Sequence, residues 1–402
     1  MQTKSETISK KIFFYFTCVL WTYNTLFKYV SVILSRLPFF GDFFLNYFRL
    51  IVLILLLIGS LPYILGKLDI IDVFYTIIVL LVVCVTVLIN SKYNQEFINT
   101  YIWIFVLQCY PMIFMGRVIL NILYDDRNVR YLGLISLLCL ISTILVIIQS
   151  GANIQADWSG SMYYSYIILP HVLCVFYIAV NYNNIMYLFI SILGFIFMVM
   201  LGNRGSLICS IIFFVICLYR YFMKLSLHKK IISIVVFLFL IVIFTVGNFY
   251  NSLLLNIYNY ASTHGLSTRL FYFMKGEINS PFDSGRSILR KKVIKAISDN
   301  ILGYGLSSDV FFAGAYVHNI FLELIVEFGV FFGFILIFGI VWFIFSALIK
   351  NNIPWNIKNI FCIFICCGLI KLCISGTYLT DPYIFFMLGM AISLCNIRDT
   401  AS

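Results

Sequence analysis

The sequence predicts an all-α polytopic membrane protein with about 12 transmembrane helices and one large extracytoplasmic loop that contains short amphipathic helices. Composition is the first observation: 62% of the 402 residues are hydrophobic, only 11% are charged, and the mean hydropathy is +1.03. Soluble domains average roughly 25% charged residues, and a soluble core could not bury this much apolar surface. The second observation is that a single long polar interval, 249–317, interrupts the apolar segments.

Each predicted span is a run of about 20 mostly apolar residues, the length that crosses a bilayer as a helix. In chain order the runs are 12–34, 49–66, 73–90, 97–115, 131–149, 162–181, 184–201, 205–222, 231–248, 329–349, 358–375 and 383–397. Pro111 and Pro170 fall inside two of them, where kinks are expected. The chain therefore divides into helices 1–9 in residues 1–248, the large loop in 249–317, and a re-entering helix with helices 10–12 in 318–402.

Lysines and arginines of the short loops predict the orientation, because cytoplasmic loops carry an excess of them. With a cytoplasmic N-terminus, most of these residues lie inside, and only Arg36, Arg49, Lys92 and Arg204 lie in short outer loops. Both termini are then cytoplasmic, and the large loop faces the periplasm or the cell exterior. The net charge of +11 is explained by basic residues at membrane edges, so no nucleic-acid partner is expected.

The 12 cysteines lie mostly in apolar segments, and none lies in the large loop. Cys362, Cys366, Cys367 and Cys373 form a cluster in the sequence, but no histidine accompanies them. Buried cysteines of this kind act as small hydrophobes. We expect no disulfide, no metal site and no cofactor.

The basic start of the chain, followed by an apolar run without a cleavage signal, is typical of a retained first span.

The loop contains a predicted amphipathic helix at 287–298. Its apolar residues, Ile288 (or Leu289), Val293, Ile294 and Ile297, share one side, and its basic residues share the other. Such a helix lies on a bilayer surface or caps a transmembrane bundle.

Four arginines are candidates for binding an anion. Arg204 stands between two glycines at a junction of two spans with almost no loop, although a lone arginine there can also be an interfacial anchor. Arg286 and Arg290 crowd the start of the amphipathic helix, where the alternative is a solvated loop charge. Arg269 is a weaker candidate of the same kind.

His318 is the candidate general base, because histidine exchanges protons near neutral pH. Asn319 follows it as a predicted helix N-cap, and Glu323 and Glu327 share one face of the helix that re-enters the membrane. We favour a structural role for the two glutamates. The turn Gly303-Tyr304-Gly305 completes the supporting set, with Gly303 and Gly305 allowing a tight backbone.

Motifs for other chemistries are missing from the sequence. There is no Asp-x-Asp on the outer side, no phosphate-binding glycine loop, no serine elbow and no zinc spacing. Arginines and a histidine on the outer side fit a lipid-linked phosphorylated substrate. The arginines would stabilise a diphosphate leaving group, and a base would take the proton of an acceptor hydroxyl.

The short motifs that contain the candidate residues, in their order around one outer loop, resemble those of the O-antigen polymerase/ligase superfamily. The resemblance rests on six short sequences: Asn203-Arg204-Gly205, Ser284-Gly285-Arg286, Gly303-Tyr304-Gly305, His318-Asn319, Leu322-Glu323 and Glu327-Phe328-Gly329. It covers roughly residues 200–345. Gly151 to Ser161 departs from it by lacking an Asn-Pro-Asn.

The resemblance implies a metal-independent, inverting glycosyltransferase of the inner membrane. It would transfer glycan from undecaprenyl diphosphate to a lipid-linked repeat unit, as a Wzy-type polymerase does for O-antigen or capsule. Residues matching Arg204 and Arg286 would hold the diphosphate, with Arg269 competing for the second role, and His318 would act on the acceptor hydroxyl. A membrane protein that regulates chain length is an implied partner, besides membrane lipid.

Three other functions are considered. An O-antigen ligase would use the same donor but lipid A-core as acceptor. A flippase or transporter would carry charges deep within its spans, for which only Lys28 and Lys371 qualify. A structural component of an assembly complex would need neither His318 nor Arg204.

Overall fold

A computed structural model describes residues 4–22, 25, 42–89, 92–150, 158–201, 203–231, 255–256, 259 and 286–397. Within these ranges the chain is helical and forms no β-strand. It divides into two compact units. The first comprises Met1–Tyr23, Val30–Leu132 and Asp283–Ser402, and the second comprises Asn24–Tyr29 and Gly133–Phe282.

The helices that position the features discussed below are numbered in chain order. They are α1 (Lys4–Thr22), α2 (Asp42–Leu65), α3 (Ile70–Ile89), α4 (Met112–Leu123), α5 (Asp126–Ser150), α6 (Trp158–Asn181), α7 (Ile185–Met200), α8 (Arg204–Lys224), α9 (Arg286–Asp299), α10 (Ser308–Ala313), α11 (Ile320–Ile349), α12 (Trp355–Ile365) and α13 (Pro382–Asn396). Tighter or wider turns join some of them: the π-helical turns Phe97–Tyr101, Phe105–Cys109 and Cys366–Ile370, the short α-helical turn Ile102–Ile104 and the 3₁₀ turn Tyr378–Thr380.

Five of the described helical runs are long and apolar enough to cross a membrane: Phe97–Leu123, Asp126–Leu145, Tyr164–Asn181, Arg204–Met223 and Ile320–Ile349. Each coincides with a predicted span. Shorter apolar helices stand at five further predicted spans: Ile54–Leu65, Asp72–Thr86, Ile185–Met200, Trp355–Ile370 and Pro382–Asn396. The predicted span 231–248 lies almost entirely outside the described residues, and 12–34 lies partly outside them. The all-α membrane class is therefore supported, and the count of twelve stays a prediction.

The first unit is held together by an unusually close crossing of α4 and α13. A methyl group on Gly116 would overlap the carbonyl oxygen of Phe386, and one on Gly389 would overlap that of Ile113. Small residues let two helix backbones approach in this way, which is the usual means of packing helices in lipid. Ser393 adds a 2.8 Å hydrogen bond from its hydroxyl to the carbonyl of Arg117.

The second unit is built around α6, whose middle is fully buried. Val172, Leu173 and Val175 have no exposed surface, and Pro170 lies inside the helix as predicted. Gly133 and Gly194 mark where neighbouring helices approach α6, because an added methyl would press on Ile178 and on Val172 respectively. The start of α8 is thereby held against a buried framework that includes a 2.5 Å hydrogen bond between the hydroxyls of Ser165 and Ser206.

The predicted amphipathic helix is confirmed as α9, but its buried side differs in part from the predicted one. Val293 and Ala296 are buried, and Leu289 and Ile297 are partly buried against the same cluster. Ile288 and Ile294 are instead 60% and 53% exposed. Leu289, Val293 and Ile297 therefore lie on the packed side as predicted. The helix packs there against Ala313, Val317 and Val326.

Helix α11 is interrupted at Gly329, which has φ of +82° and ψ of 168°. The break divides it into a short first segment, which carries Glu323 and Glu327, and a segment of about 20 residues that suffices to cross a bilayer. The sequence prediction began the tenth span at the same residue, 329, which agrees with this division.

Candidate functional site

Every described candidate except Arg204 lies in the first unit, around the start of α11. A buried apolar cluster formed by Val293, Ala296, Ala313, Val317 and Val326 joins α9, α10 and α11. These elements come from separate parts of the predicted loop and from the re-entering helix. The cluster fixes α9, which carries Arg286 and Arg290, against the segment that carries His318.

The turn at Gly303 and Gly305 is locked to the break in α11. Tyr304 N–H donates to the carbonyl of Val326 and Gly305 N–H to that of Glu327, both at 2.9 Å, and Val330 N–H donates to Ile301 at 2.8 Å. Gly303 and Gly305 have φ of +88° and +93°, which glycine adopts without strain. A methyl on Gly303 would overlap the backbone of Gly329. The two motif glycines thus serve the backbone contact that positions Glu327.

Three carboxyl groups are buried together beneath this turn. Asp309, Glu323 and Glu327 are each at most 3% exposed, and one oxygen from each lies within 4.8 Å of the others. Burial raises the pKa of Asp309 to about 6, although backbone N–H groups that donate to it act in the opposite direction. Three adjacent carboxylates in a buried site cannot all stay ionised unless a cation lies between them. Otherwise at least one of them binds a proton.

Hydrogen bonds from two other segments reach the two glutamates. Glu327 accepts the Ser307 N–H and the Tyr378 hydroxyl, both at 2.5 Å. Glu323 accepts the hydroxyl of Thr377. Burial, with the neighbouring Glu327, raises the pKa of Tyr378 well above its ordinary value, so this phenol remains a donor. The glutamates therefore join α11 to the loop before α13, and the structural role assigned to them stays a prediction.

His318 precedes α11 in a left-handed backbone conformation, with φ of +57°. Asn319 is confirmed as the N-cap of α11, because its side-chain oxygen accepts the N–H groups of Phe321 and Leu322 at 3.0 and 3.2 Å. The ring of Tyr316 lies 4.3 Å from the His318 ring, measured between centroids. Burial, followed by the charges of Arg286 and Arg290, lowers the pKa of His318 to about 4.

Arg286 and Arg290 stand one helical turn apart at the start of α9, which places them on one face. Arg286 donates to the carbonyl of Ile374 at 2.9 Å, so the loop before α13 also holds this side chain. Nε of Arg290 and Nδ1 of His318 are both buried, and neither has a hydrogen-bond partner among the described residues. Buried nitrogens of this kind normally have a hydrogen-bond partner, which can be a protein group, a water molecule or a ligand.

Arg204 belongs to the second unit, at the first position of α8. Asn203 caps this helix by accepting the Gly205 N–H at 3.0 Å, and Arg204 is half-buried. The positive end of a helix and an arginine at one place favour an anion. Arg269, the remaining predicted arginine, lies outside the described residues, as does Lys28.

The three buried carboxyl groups are the only cluster in the described ranges with the donor set for a metal ion. Carboxylate oxygens suit hard divalent cations. Each group, however, already accepts at least one N–H or O–H donor, from Val317, Thr377, Ser307 or Tyr378. These donors satisfy some of the oxygens without an ion, whereas Oε2 of Glu323 is buried and has no hydrogen-bond partner among the described residues. Lys371, a candidate in the transporter hypothesis, follows the helical run ending at Ile370 and forms a 2.5 Å ion pair with Asp381.

No protein-family model, curated protein or solved structure matches this chain. The superfamily assignment therefore remains a resemblance carried by short motifs.

Sequence reasoning did not select Asp309, Ser307, Thr377 or Tyr378, all of which complete the site. One signal was available for the last two. Gly376 to Asp381 is a polar interval between two apolar runs, and it lies on the same predicted side as the large loop. No pattern indicates that Asp309 is buried, because it stands in a segment that reads as a solvated loop.

Proposed function

We propose that this protein is a Wzy-type polysaccharide polymerase of the bacterial inner membrane. One observation carries the proposal: His318 is held beside Arg286 and Arg290, and buried nitrogens of His318 and Arg290 are left without a partner among the described residues. Two guanidinium groups suit a diphosphate, and a neutral imidazole suits a hydroxyl that must lose its proton.

In the proposed reaction, the hydroxyl of a lipid-linked repeat unit attacks the anomeric carbon of the growing glycan. A new glycosidic bond forms, and the bond between that carbon and the diphosphate oxygen breaks with inversion. His318 takes the hydroxyl proton, and undecaprenyl diphosphate leaves as the anion that Arg286 and Arg290 stabilise. Arg204 is a further candidate for the diphosphate, on the motif and the helix start that carries it.

The proposed setting follows from the same substrate. The donor and the acceptor are both lipid-linked, so the proposed site lies at the membrane surface. The orientation predicted from the loop charges puts it on the side of the periplasm or the cell exterior. Both termini are proposed to be cytoplasmic. No metal, cofactor or nucleic acid enters the proposed reaction, and a chain-length-regulating membrane protein is a proposed partner.

The test is the length of surface glycan in cells whose own copy of the protein is replaced by a variant at matched protein level. His318→Ala should leave single repeat units, because no base takes the proton from the acceptor hydroxyl. His228→Ala is the matched control, since His228 is exposed on another segment, and it should give normal length. Arg290→Ala should shorten the glycan, and Lys292→Ala, an exposed cation of the same helix, should not.

The alternative functions predict glycan of a different length or in a different location. Normal-length glycan that accumulates on the lipid carrier and never reaches lipid A-core identifies a ligase. Accumulation of unpolymerised units on the cytoplasmic side identifies a flippase. Normal surface glycan in the His318→Ala strain refutes an enzymatic role for this site.

A further inference from the structure

Asp309 is a buried acid whose carboxylate accepts backbone N–H groups, among them that of Val317. It lies in the six-residue helix α10, is 1% exposed, and accepts the N–H of Val317 through Oδ2 at 2.9 Å. Aspartate is seldom fully buried, and burying it is unfavourable unless its oxygens are hydrogen-bonded. This hydrogen bond joins Asp309 to Val317, the residue that immediately precedes His318 and lies eight residues after Asp309 in the sequence.

The backbone at His318 needs such support. Its left-handed conformation, with φ of +57°, is disfavoured for residues with a side chain. The flanking residues are both fixed. Val317 has no exposed surface and packs with Val293 and Val326, while Asn319 caps α11. A residue strained between two fixed neighbours is typical of a functional position.

We propose that Asp309 is a positioning residue for His318. By holding the Val317 N–H, its carboxyl oxygen fixes the peptide from which His318 turns, and this keeps the imidazole beside Arg286 and Arg290. Asp309 has no contact with substrate in this role. The inference rests on the proposed function, because it assigns a role toward the proposed base.

The role requires an acceptor oxygen and not a charge. Asp309 faces Glu323 and Glu327, and its hydrogen bond to Val317 is made by one oxygen only. Asparagine has the same shape and keeps one carbonyl oxygen, so it can accept the same N–H. Alanine leaves that N–H buried without a partner.

The experiment measures initial rates of polymerisation by the purified full-length protein in liposomes, with a synthetic undecaprenyl-diphosphate-linked repeat unit. Asp309→Ala should lower kcat by about tenfold or more, since a misplacement of about 1 Å can slow a reaction about a hundredfold. KM should stay within about twofold, because the arginines that bind the substrate are unchanged. Asp309→Asn should keep about half of the kcat or more. Asp299→Ala removes an exposed carboxylate at the end of α9 and should behave as wild type.

The results separate this inference from the proposed function. If the wild type does not polymerise, or His318→Ala remains active, the proposed function fails. If His318→Ala is inactive and Asp309→Ala retains full kcat, only the positioning role fails. Equal losses in Asp309→Ala and Asp309→Asn also overturn it, since the carboxylate charge would then matter. Should Asp309→Ala not fold, Asp309→Asn decides, because an inactive, folded Asp309→Asn protein contradicts the role.

Discussion

His318 can act as a base at neutral pH because its surroundings keep it uncharged. Burial and the charges of Arg286 and Arg290 lower its pKa to about 4. A group in this state accepts a proton throughout the neutral range and loses that ability only as the pH falls through its pKa. The arginines proposed to bind the diphosphate therefore also help to keep the proposed base uncharged.

This coupling predicts the direction of a shift in the pH profile. Arg290→Gln removes one positive charge that opposes protonation, so the pKa of His318 rises toward its ordinary value. The acidic limb of the rate profile should move to higher pH, while Arg290→Lys, which keeps the charge, should leave it in place. The measurement is the initial polymerisation rate in liposomes between about pH 4 and 8, a window that covers the lowered and the ordinary pKa. An unshifted limb in Arg290→Gln would remove His318 as the titrating base.

A second prediction at this scale concerns metal ions. Asp309, Glu323 and Glu327 have the oxygens for a cation, but N–H and O–H donors already reach all three groups. In the proposed reaction, Arg286 and Arg290 supply the charge that a metal would otherwise bring to the diphosphate. We expect polymerisation in liposomes to be unchanged by EDTA and by later addition of Mg²⁺ or Mn²⁺. A loss that either ion restores would assign the carboxyl cluster to a metal.

From the sequence, one can select those candidate site residues whose role depends on residue type and close neighbours in the chain and not on distant partners. His318, Arg286 and the capping role of Asn319 could be selected from residue type and local spacing alone. Asp309 and Tyr378 could not. Asp309 contacts Val317, and Tyr378 contacts Glu327, which is 51 residues from it in the sequence. Burial of a polar residue in a tertiary contact leaves no local pattern.

At the scale of elements, the break in α11 is the feature on which the site geometry depends. Gly329 allows the first segment of α11 to end where Tyr304, Gly305 and Val330 form backbone hydrogen bonds across the break. Hydropathy predicts the apolar run but not the break, because the sequence does not distinguish a glycine with φ of +82° from a glycine inside a helix. The helix α9 was located correctly, and its packed side agrees with the prediction at Leu289, Val293 and Ile297 but not at Ile294, which is exposed.

Gly329→Ala should therefore damage both folding and activity. The new methyl would overlap the Leu302 carbonyl, and alanine is strained at this positive φ by about 1 kcal/mol or more. Gly339→Ala is the matched control in the same helix, because nothing lies within 4 Å of the added methyl. Replacing a compatible glycine by alanine stabilises by about 0.4–1 kcal/mol. Thermal unfolding in detergent should thus give a lowered Tm for Gly329→Ala and an equal or raised Tm for Gly339→Ala. Equal Tm values would show that the break tolerates a side chain.

At the scale of the whole molecule, composition alone predicts the class, because lipid is the only solvent for this much apolar surface. Helix packing through Gly116 and Gly389 fits that environment, where close backbone approach replaces the hydrophobic effect as the source of association. The number of spans and their orientation depend on summed loop charges and on segments outside the described residues. They are accordingly the part of the prediction that needs a direct measurement.

Cysteine labelling tests the proposed orientation. Ser298, exposed near the end of α9, should lie outside, and Asn351, exposed in the turn after α11, should lie in the cytoplasm. The Ser298→Cys protein should react with a membrane-impermeant maleimide in intact cells whose outer barrier is open to the reagent. The Asn351→Cys protein should react only after the plasma membrane is permeabilised. The unmodified protein is the control, since most of its described cysteines are buried and only Cys84, in α3, is exposed. Labelling of Asn351→Cys alone in intact cells would place His318 in the cytoplasm, where a polymerase acting on exported repeat units could not work.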